Sequence, residues 1–129
     1  MKRYFDSNDI LCIDLKKFDL FKDLTEPEIQ EIEDNIKLSK QKRGTLIYSQ
    51  GSEISGVYIV INGILKIFKT GAEGKDQIIR FAKMGDPVGF RSVMTDERAC
   101  TSVESLTEST VCFIPKESIL KLYASNSLF

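Results

Sequence analysis

The chain has 129 residues, 42% of them hydrophobic, with 18 basic and 19 acidic side chains and a formal net charge of −1. That length suits one domain with a core of its own and no staples, and the well-mixed charges contain no basic tract long enough for tight DNA binding by this chain alone. Histidine is absent and the three cysteines, Cys12, Cys100 and Cys112, stand far apart, which removes the commonest general base and metal ligand and fits a reducing compartment better than a disulfide framework.

In chain order, Leu15, Phe18 and Phe21 can share one face of a short helix, and Phe18, Leu20 and Phe21 are expected to cover an open end of the fold. Thr25-Glu26-Pro27-Glu28 then opens a second helix. Thr25 can cap it, Glu28 can reach back as the acid of a capping box, and Pro27 is tolerated in a first turn. Leu24 and Ile29 sit where a hydrophobic staple closes, and Ile29, Ile32 and Ile36 fall on one face. This helix is placed at about residues 26–36, and the N-terminal helical region at about 14–36. Lys37, Lys40, Lys42 and Arg43 read as a solvated loop between helix and strand.

From Arg43 the apolar period changes to two. The spacing predicts strands at Thr45–Tyr48, Val57–Ile61, Ile64–Lys69, Gln77–Phe81, Val88–Phe90, Thr101–Ser105 and Thr110–Ile114, punctuated by Gly44, Gly51, Gly63, Gly74 and Gly85. Short strands with regular turn signals imply an antiparallel barrel or jelly roll. Asn62-Gly63 carries the strongest hairpin signal, because both central positions of a type I′ turn need positive φ. Gly71–Asp76 reads as a longer polar hairpin loop. After Pro115 a helix is predicted at about 116–124, with Ile119, Leu122 and Tyr123 as its apolar stripe. The uncapped apolar end at Ser127-Leu128-Phe129 suggests a protein that continues further. The fold class is therefore mainly β with flanking helices, an antiparallel β-roll in a single domain over residues 1–129.

The sequence has no Gly-x-Ser-x-Gly, no P-loop and no CxxC pair. Carboxylate pairs for acid–base work do not stand out either. The chain is read as not an enzyme, with no catalytic residue and no metal ligand assigned. Met1–Asp9 is polar, and no apolar run approaches the roughly 18 residues of a membrane span. No membrane association and a cytoplasmic location are expected.

The order helix, β-roll, helix resembles the sensor domain of the Crp/Fnr superfamily, the cyclic-AMP receptor and fumarate-nitrate regulator proteins. The pieces that carry the resemblance begin with Phe21-Lys-Asp-Leu24-Thr-Glu-Pro-Glu28, Lys42-Arg-Gly44-Thr-Leu-Ile-Tyr48 and Gln50-Gly51-Ser. Further along come Val57-Tyr-Ile-Val-Ile-Asn-Gly63, Gly85-Asp86-Pro-Val-Gly89 and Val111-Cys-Phe-Ile-Pro115. Together they cover about residues 18–126. The resemblance implies a cyclic-nucleotide-binding-like domain that senses a small-molecule effector. In that family a dimerisation helix and a DNA-binding winged helix-turn-helix follow the roll. Homodimer formation and contact with DNA and RNA polymerase are thus implied for the full-length protein only. The alternative is a stand-alone interaction or regulatory module without DNA binding.

The family's phosphate cassette reads Gly-Glu-(x)-Leu, then Arg-Ser-Ala about ten residues on. Its Glu takes the ribose hydroxyl and its Arg pairs with the cyclic phosphate, as a planar guanidinium can. In this sequence Gly89 keeps the glycine, Phe90 replaces the Glu, and Ala99 and Cys100 stand near the Arg-Ser positions, with Arg98 one residue away. The resemblance therefore assigns ligand contact to Gly89, Phe90, Arg91, Ser92, Arg98, Ala99, Cys100 and Thr101. Arg91 can line the pocket or pair locally, and Arg98 can serve the pocket or remain a solvated loop residue. Cyclic AMP or another small effector is the implied ligand, through a degenerate cassette. Cys112 matches the one roll cysteine of the family's iron–sulfur members, and Cys12 loosely matches their N-terminal group. A four-iron cluster normally needs four thiolates, so no cluster is expected and Cys112 reads as a small buried hydrophobe.

Overall fold

Thr25 starts the first helix with its side chain and its backbone together. Its hydroxyl accepts from the Glu28 amide at 3.4 Å, and the Glu28 carboxylate accepts from the Thr25 amide at 2.9 Å. This reciprocal pair satisfies two N–H groups that a helix end leaves without partners. Helix α1 runs Glu26–Asn35 with Pro27 in its first turn. Leu24, Ile29, Ile32 and Ile36 are all buried, as the staple and the stripe require. The computed structural model describes residues 21–125. Cys12, Leu15, Phe18 and Leu20 lie outside them, as does the chain end at 126–129.

Among the described residues the strands are β1 Lys37–Gln41, β2 Leu46–Tyr48, β3 Gly56–Asn62, β4 Leu65–Thr70, β5 Asp76–Ala82, β6 Pro87–Val88, β7 Ser102–Ser105 and β8 Ser109–Pro115. All pairings are antiparallel, and they form two four-stranded sheets with orders β1-β8-β3-β6 and β2-β7-β4-β5. The flanking helices are α1, α2 (Phe90–Thr95) and α3 (Lys116–Ser125). This is the antiparallel β-roll expected from the sequence.

Four expectations need correction. The supposed loop at Lys37 and Lys40 is strand β1. It is an outer strand with β8 as its one neighbour, so it needs little apolar surface and hides behind polar residues. Asn62-Gly63 is not a hairpin turn. β3 already has β8 and β6 on its two edges, so β4 must leave for the other sheet. Gly63 has φ +94°, whereas Asp96 is the sole positive-φ residue other than glycine among the described residues, which rules out a type I′ turn. The strand expected at Val88–Phe90 ends at Val88, because Gly89 at φ +87° turns the chain into α2. Tyr123 is 58% exposed, off the stripe that buries Ile119 and Leu122. The Gly71–Asp76 hairpin stands, closed by Gly71 N–H to the Lys75 carbonyl at 3.0 Å.

Burial follows two layers. Val60, Val88 and Val111 of the first sheet meet Leu65, Ile67, Ala82 and Val103 of the second, filling the roll. On the other face of the first sheet, Val57, Ile59, Cys112 and Ile114 pack under Ile29, Ile32, Val93, Ile119 and Leu122 of the helices. No helix among the described residues is long and apolar enough to cross a membrane.

The corner at Gly63 is a close approach as well as a left-handed residue. A Cβ there would come within 2.3 Å of Ser109 Oγ and 2.7 Å of the Glu108 carbonyl oxygen. Gly63→Ala is expected to cost about 2 kcal/mol, read as a lower urea midpoint with an unchanged slope. Gly44→Ala is the control, since its φ is +84° but a Cβ there has nothing within 4 Å.

Candidate functional site

The segment from Gly85 to Thr101 forms the wall of a cleft, and backbone hydrogen bonds hold each part of it. Gly85 N–H donates to the Val60 carbonyl at 2.8 Å, and Val60 N–H returns a bond to the Asp86 carbonyl at 3.1 Å. The Asp86 carboxylate accepts from Lys83 N–H at 3.0 Å and closes the turn. Gly89 passes close to Gly56, Ile54 and Tyr48, where a Cβ would meet atoms at 3.3, 3.3 and 3.7 Å. Helix α2 is then anchored by buried Val93. After it, Ala99 is strapped to the 51–52 turn by Ala99 N–H to the Ser52 carbonyl (2.9 Å) and Gly51 N–H to the Ala99 carbonyl (2.8 Å).

The cleft has a volume of about 400 Å³, within the roughly 300–1,000 Å³ of small-molecule sites. Of the residues singled out in the sequence, Gly89, Phe90, Arg91, Ser92, Cys100 and Thr101 line it together. Arg98 and Ala99 do not. Ala99 is buried in the core under the helices. Arg98 turns away, with one guanidinium nitrogen donating to the Gly51 carbonyl at 3.1 Å and another 3.4 Å from the Glu53 carboxylate.

Sequence reading missed the opposite wall, made by Tyr48, Ile67, Ile79 and Arg80. Ile67 pairs with Arg80 and Phe68 with Ile78, which leaves Ile79 as an extra residue, a β-bulge in the outer strand β5. A bulge breaks the alternation of side chains, and Ile79 and Arg80, though consecutive, both reach the cleft. Adjacent Ile78 and Ile79 within an alternating run were the available signal.

Charge in the cleft is one-sided. Arg80 and Arg91 line it, and none of its described lining residues is acidic. Neither guanidinium has an ion-pair partner among the described residues. Burial pushes the Tyr48 hydroxyl up to about 12, opposed by the hydrogen bond it shares with Thr101. It therefore stays neutral at physiological pH. Tyr48, Tyr58 and Phe113 form an aromatic row with ring centroids 6.1 and 5.0 Å apart.

A second, polar cleft lies behind α2, bounded by Glu53, Ser92, Asp96, Glu97, Arg98 and Lys116. Its main contact is Lys116 Nζ to Asp96 Oδ1 at 2.6 Å, which ties the end of α2 to the start of α3. Asp96 itself adopts a left-handed conformation at φ 56°.

Cys112 sits in β8 opposite Ile59 and Leu38 and is fully buried. Burial pushes its thiol up to about 12, which opposes the thiolate form that a cluster ligand needs. Cys100 is exposed. No group of three or more His, Cys, Asp or Glu side chains that could hold a metal ion occurs among the described residues.

A family model described as the cyclic nucleotide-binding domain matches residues 39–126. The fumarate and nitrate reduction regulatory protein of Vibrio cholerae is 30% identical over 95 residues, covering 73% of this chain and 38% of that protein. Lysophospholipase NTE1 of Phaeosphaeria nodorum is 32% identical over 88 residues, 68% of this chain but 6% of that one. The chain thus spans well under half the length of either relative. In structure, it is similar to the sensor domain of the transcriptional regulator DNR from Pseudomonas aeruginosa, with a TM-score of 0.82, 19% identity and coverage of 88% and 76% of the two chains.

Two predictions follow from the titrating groups. Brief iodoacetamide treatment at pH 8, followed by peptide mapping, should label Cys100 and spare Cys112 until the protein is unfolded. The Lys116 ammonium holds the Asp96 carboxyl below its ordinary value of 3.8. A lowered folded-state pKa adds stability above the unfolded value, and that stability is lost as pH falls through the folded one. Asp96→Asn should therefore flatten the loss of thermal stability below about pH 4, a small effect for so exposed a pair.

Proposed function

The chain belongs to the cyclic nucleotide-binding domain family, and from that premise we propose that it is the effector-sensing domain of a Crp/Fnr-type transcription regulator. The observation that carries this reading is the cleft between β5 and α2, where Arg80 and Arg91 stand without counter-charges among the described residues, beside a partly apolar lining. Two guanidiniums at one small cleft favour an anionic ligand through charge-assisted hydrogen bonds.

The route from ligand to output runs through α2. Arg91 and Ser92 line the cleft, and Asp96 at the other end holds Lys116 of α3. A ligand that prefers one setting of α2 biases the setting of α3 by its difference in affinity for the two. In the full-length protein α3 would lead toward a dimerisation helix and a DNA-binding helix-turn-helix, with a homodimer acting on DNA and RNA polymerase in the cytoplasm. A second reading, a regulatory module without DNA binding, is favoured by the match to a small part of a lysophospholipase. The coding sequence after Phe129 separates them: a long helix and a helix-turn-helix support the first, a stop or an unrelated domain the second.

The cleft reading is tested by anion-dependent stability. Tens of millimolar inorganic phosphate should raise the melting temperature by a few degrees over chloride of equal ionic strength, as expected for a ligand bound only by the folded state. The double variant Arg80→Ala/Arg91→Ala should lose that difference. An equal gain in both proteins would sink the reading, since general salt effects would then account for it.

A further inference from the structure

We propose that the effector is an amphipathic aryl anion: one carboxylate or phosphate head on a flat apolar body that carries no sugar hydroxyls. This rests on the reading of the cleft as the effector site and names the ligand class of that site.

The head group follows from the rim. Arg80 reaches the cleft from the bulged outer strand and Arg91 from the first turn of α2. Neither is neutralised by a described carboxylate, so both are available to an anion in the cleft. The body follows from the floor. Val88 and Ile67 are 2% and 5% exposed, while Ile79 at the mouth is 48% exposed. Phe90 is half-buried, packing on the core beneath α2 while also lining the cleft. Val88 and Ile67 are already dry, so an apolar ligand body would cover Ile79 and Phe90 and release their water.

A nucleotide fits the volume but not the chemistry. Its ribose hydroxyls need partners once they leave water, and a buried hydroxyl without one is penalised. No carboxylate among the described residues lines the cleft to accept from them. The described hydroxyls of the cleft, those of Tyr48, Ser92 and Thr101, are weaker acceptors than a carboxylate. Along β6 and α2 the cleft is lined by Pro87, Val88 and Phe90 beside Arg91 and Ser92. A bare inorganic anion, in turn, would leave the apolar floor uncovered.

The test uses the 129-residue chain and 1-anilinonaphthalene-8-sulfonate, itself an aryl anion, as a fluorescent reporter. Phenylacetate, phenyl phosphate, inorganic phosphate and cyclic AMP are titrated against it. The expected result is displacement by phenylacetate or phenyl phosphate at concentrations at least about tenfold below those needed for the other two. Which of the pair is stronger identifies the head group. Arg80→Ala and Arg91→Ala should each weaken reporter binding about tenfold. Phe90→Gln, checked for folding by circular dichroism, should narrow the gap between aryl anions and cyclic AMP, and Ile79→Ser gives a second reading of the floor from the opposite wall. Cyclic AMP competing as well as the aryl anions overturns the ligand class and leaves the effector-site reading intact. Inorganic phosphate competing equally also overturns it. Reporter binding that is absent, or unmoved by either arginine variant, removes the effector-site reading and this inference with it.

Discussion

The structure depends on the first sheet being apolar on both faces. β3 and β8 are the two strands that carry this burden. Val57 and Ile59 of β3 face the helices while Val60 faces the roll interior; Cys112 and Ile114 of β8 face the helices while Val111 faces inward. A sheet of this kind cannot leave either side to water. One face therefore captures α1, α2 and α3, and the other captures the second sheet. The cleft lies where the two arrangements meet, since Val88 of β6 belongs to the roll interior and Val93 of α2, five residues on, belongs to the core beneath the helices. The intervening turn at Gly89 must change layers within a few residues, and that forced crossing makes room for the cleft.

What the sequence made legible was whatever is encoded locally. The capping box at Thr25 and Glu28, the apolar run of β3, and the polar loop of Gly71–Asp76 each report on interactions a few residues apart. The features that escaped notice are decided by distant neighbours. Strand β1 has Leu38 as its one apolar member because β8 supplies its hydrogen bonds from far along the chain. Asn62-Gly63 looked like a hairpin because local turn chemistry cannot know that both edges of β3 are already taken. In the same way, Phe90, Arg91 and Ser92 were legible as one wall of a site from their position in a resembling motif. Arg80 was not, because its place there depends on a register shift between β4 and β5.

The distribution of charge repeats this contrast between structure and site. Lys66, Arg98, Lys116 and Lys121 each find a carboxylate, in pairs of modest individual worth at a solvated surface. Arg80 and Arg91, with no ion-pair partner among the described residues, are set apart by lining a concavity together. Like charges gathered without counter-ions oppose folding rather than help it. Sequences that satisfy local rules elsewhere tend to violate them where something must be bound. Arg98 illustrates the other half of the point. It is close in sequence to the cleft, yet its bonds to Gly51 and Glu53 make it a strut for the neighbouring turn.

The bulge at Ile79 has a further consequence, for the solution behaviour of the protein. β5 is an outer strand whose free edge carries Ile78, Ile79 and Phe81, each about half exposed. A straight apolar edge of that length would template a strand from another molecule and invite aggregation. The extra residue interrupts the regular row of N–H and C=O groups such a strand would have to match. The insertion that delivers Arg80 to the cleft thus also breaks the regularity of the sheet's outer edge, so a one-residue deletion at position 79 would alter the cleft and straighten that edge together.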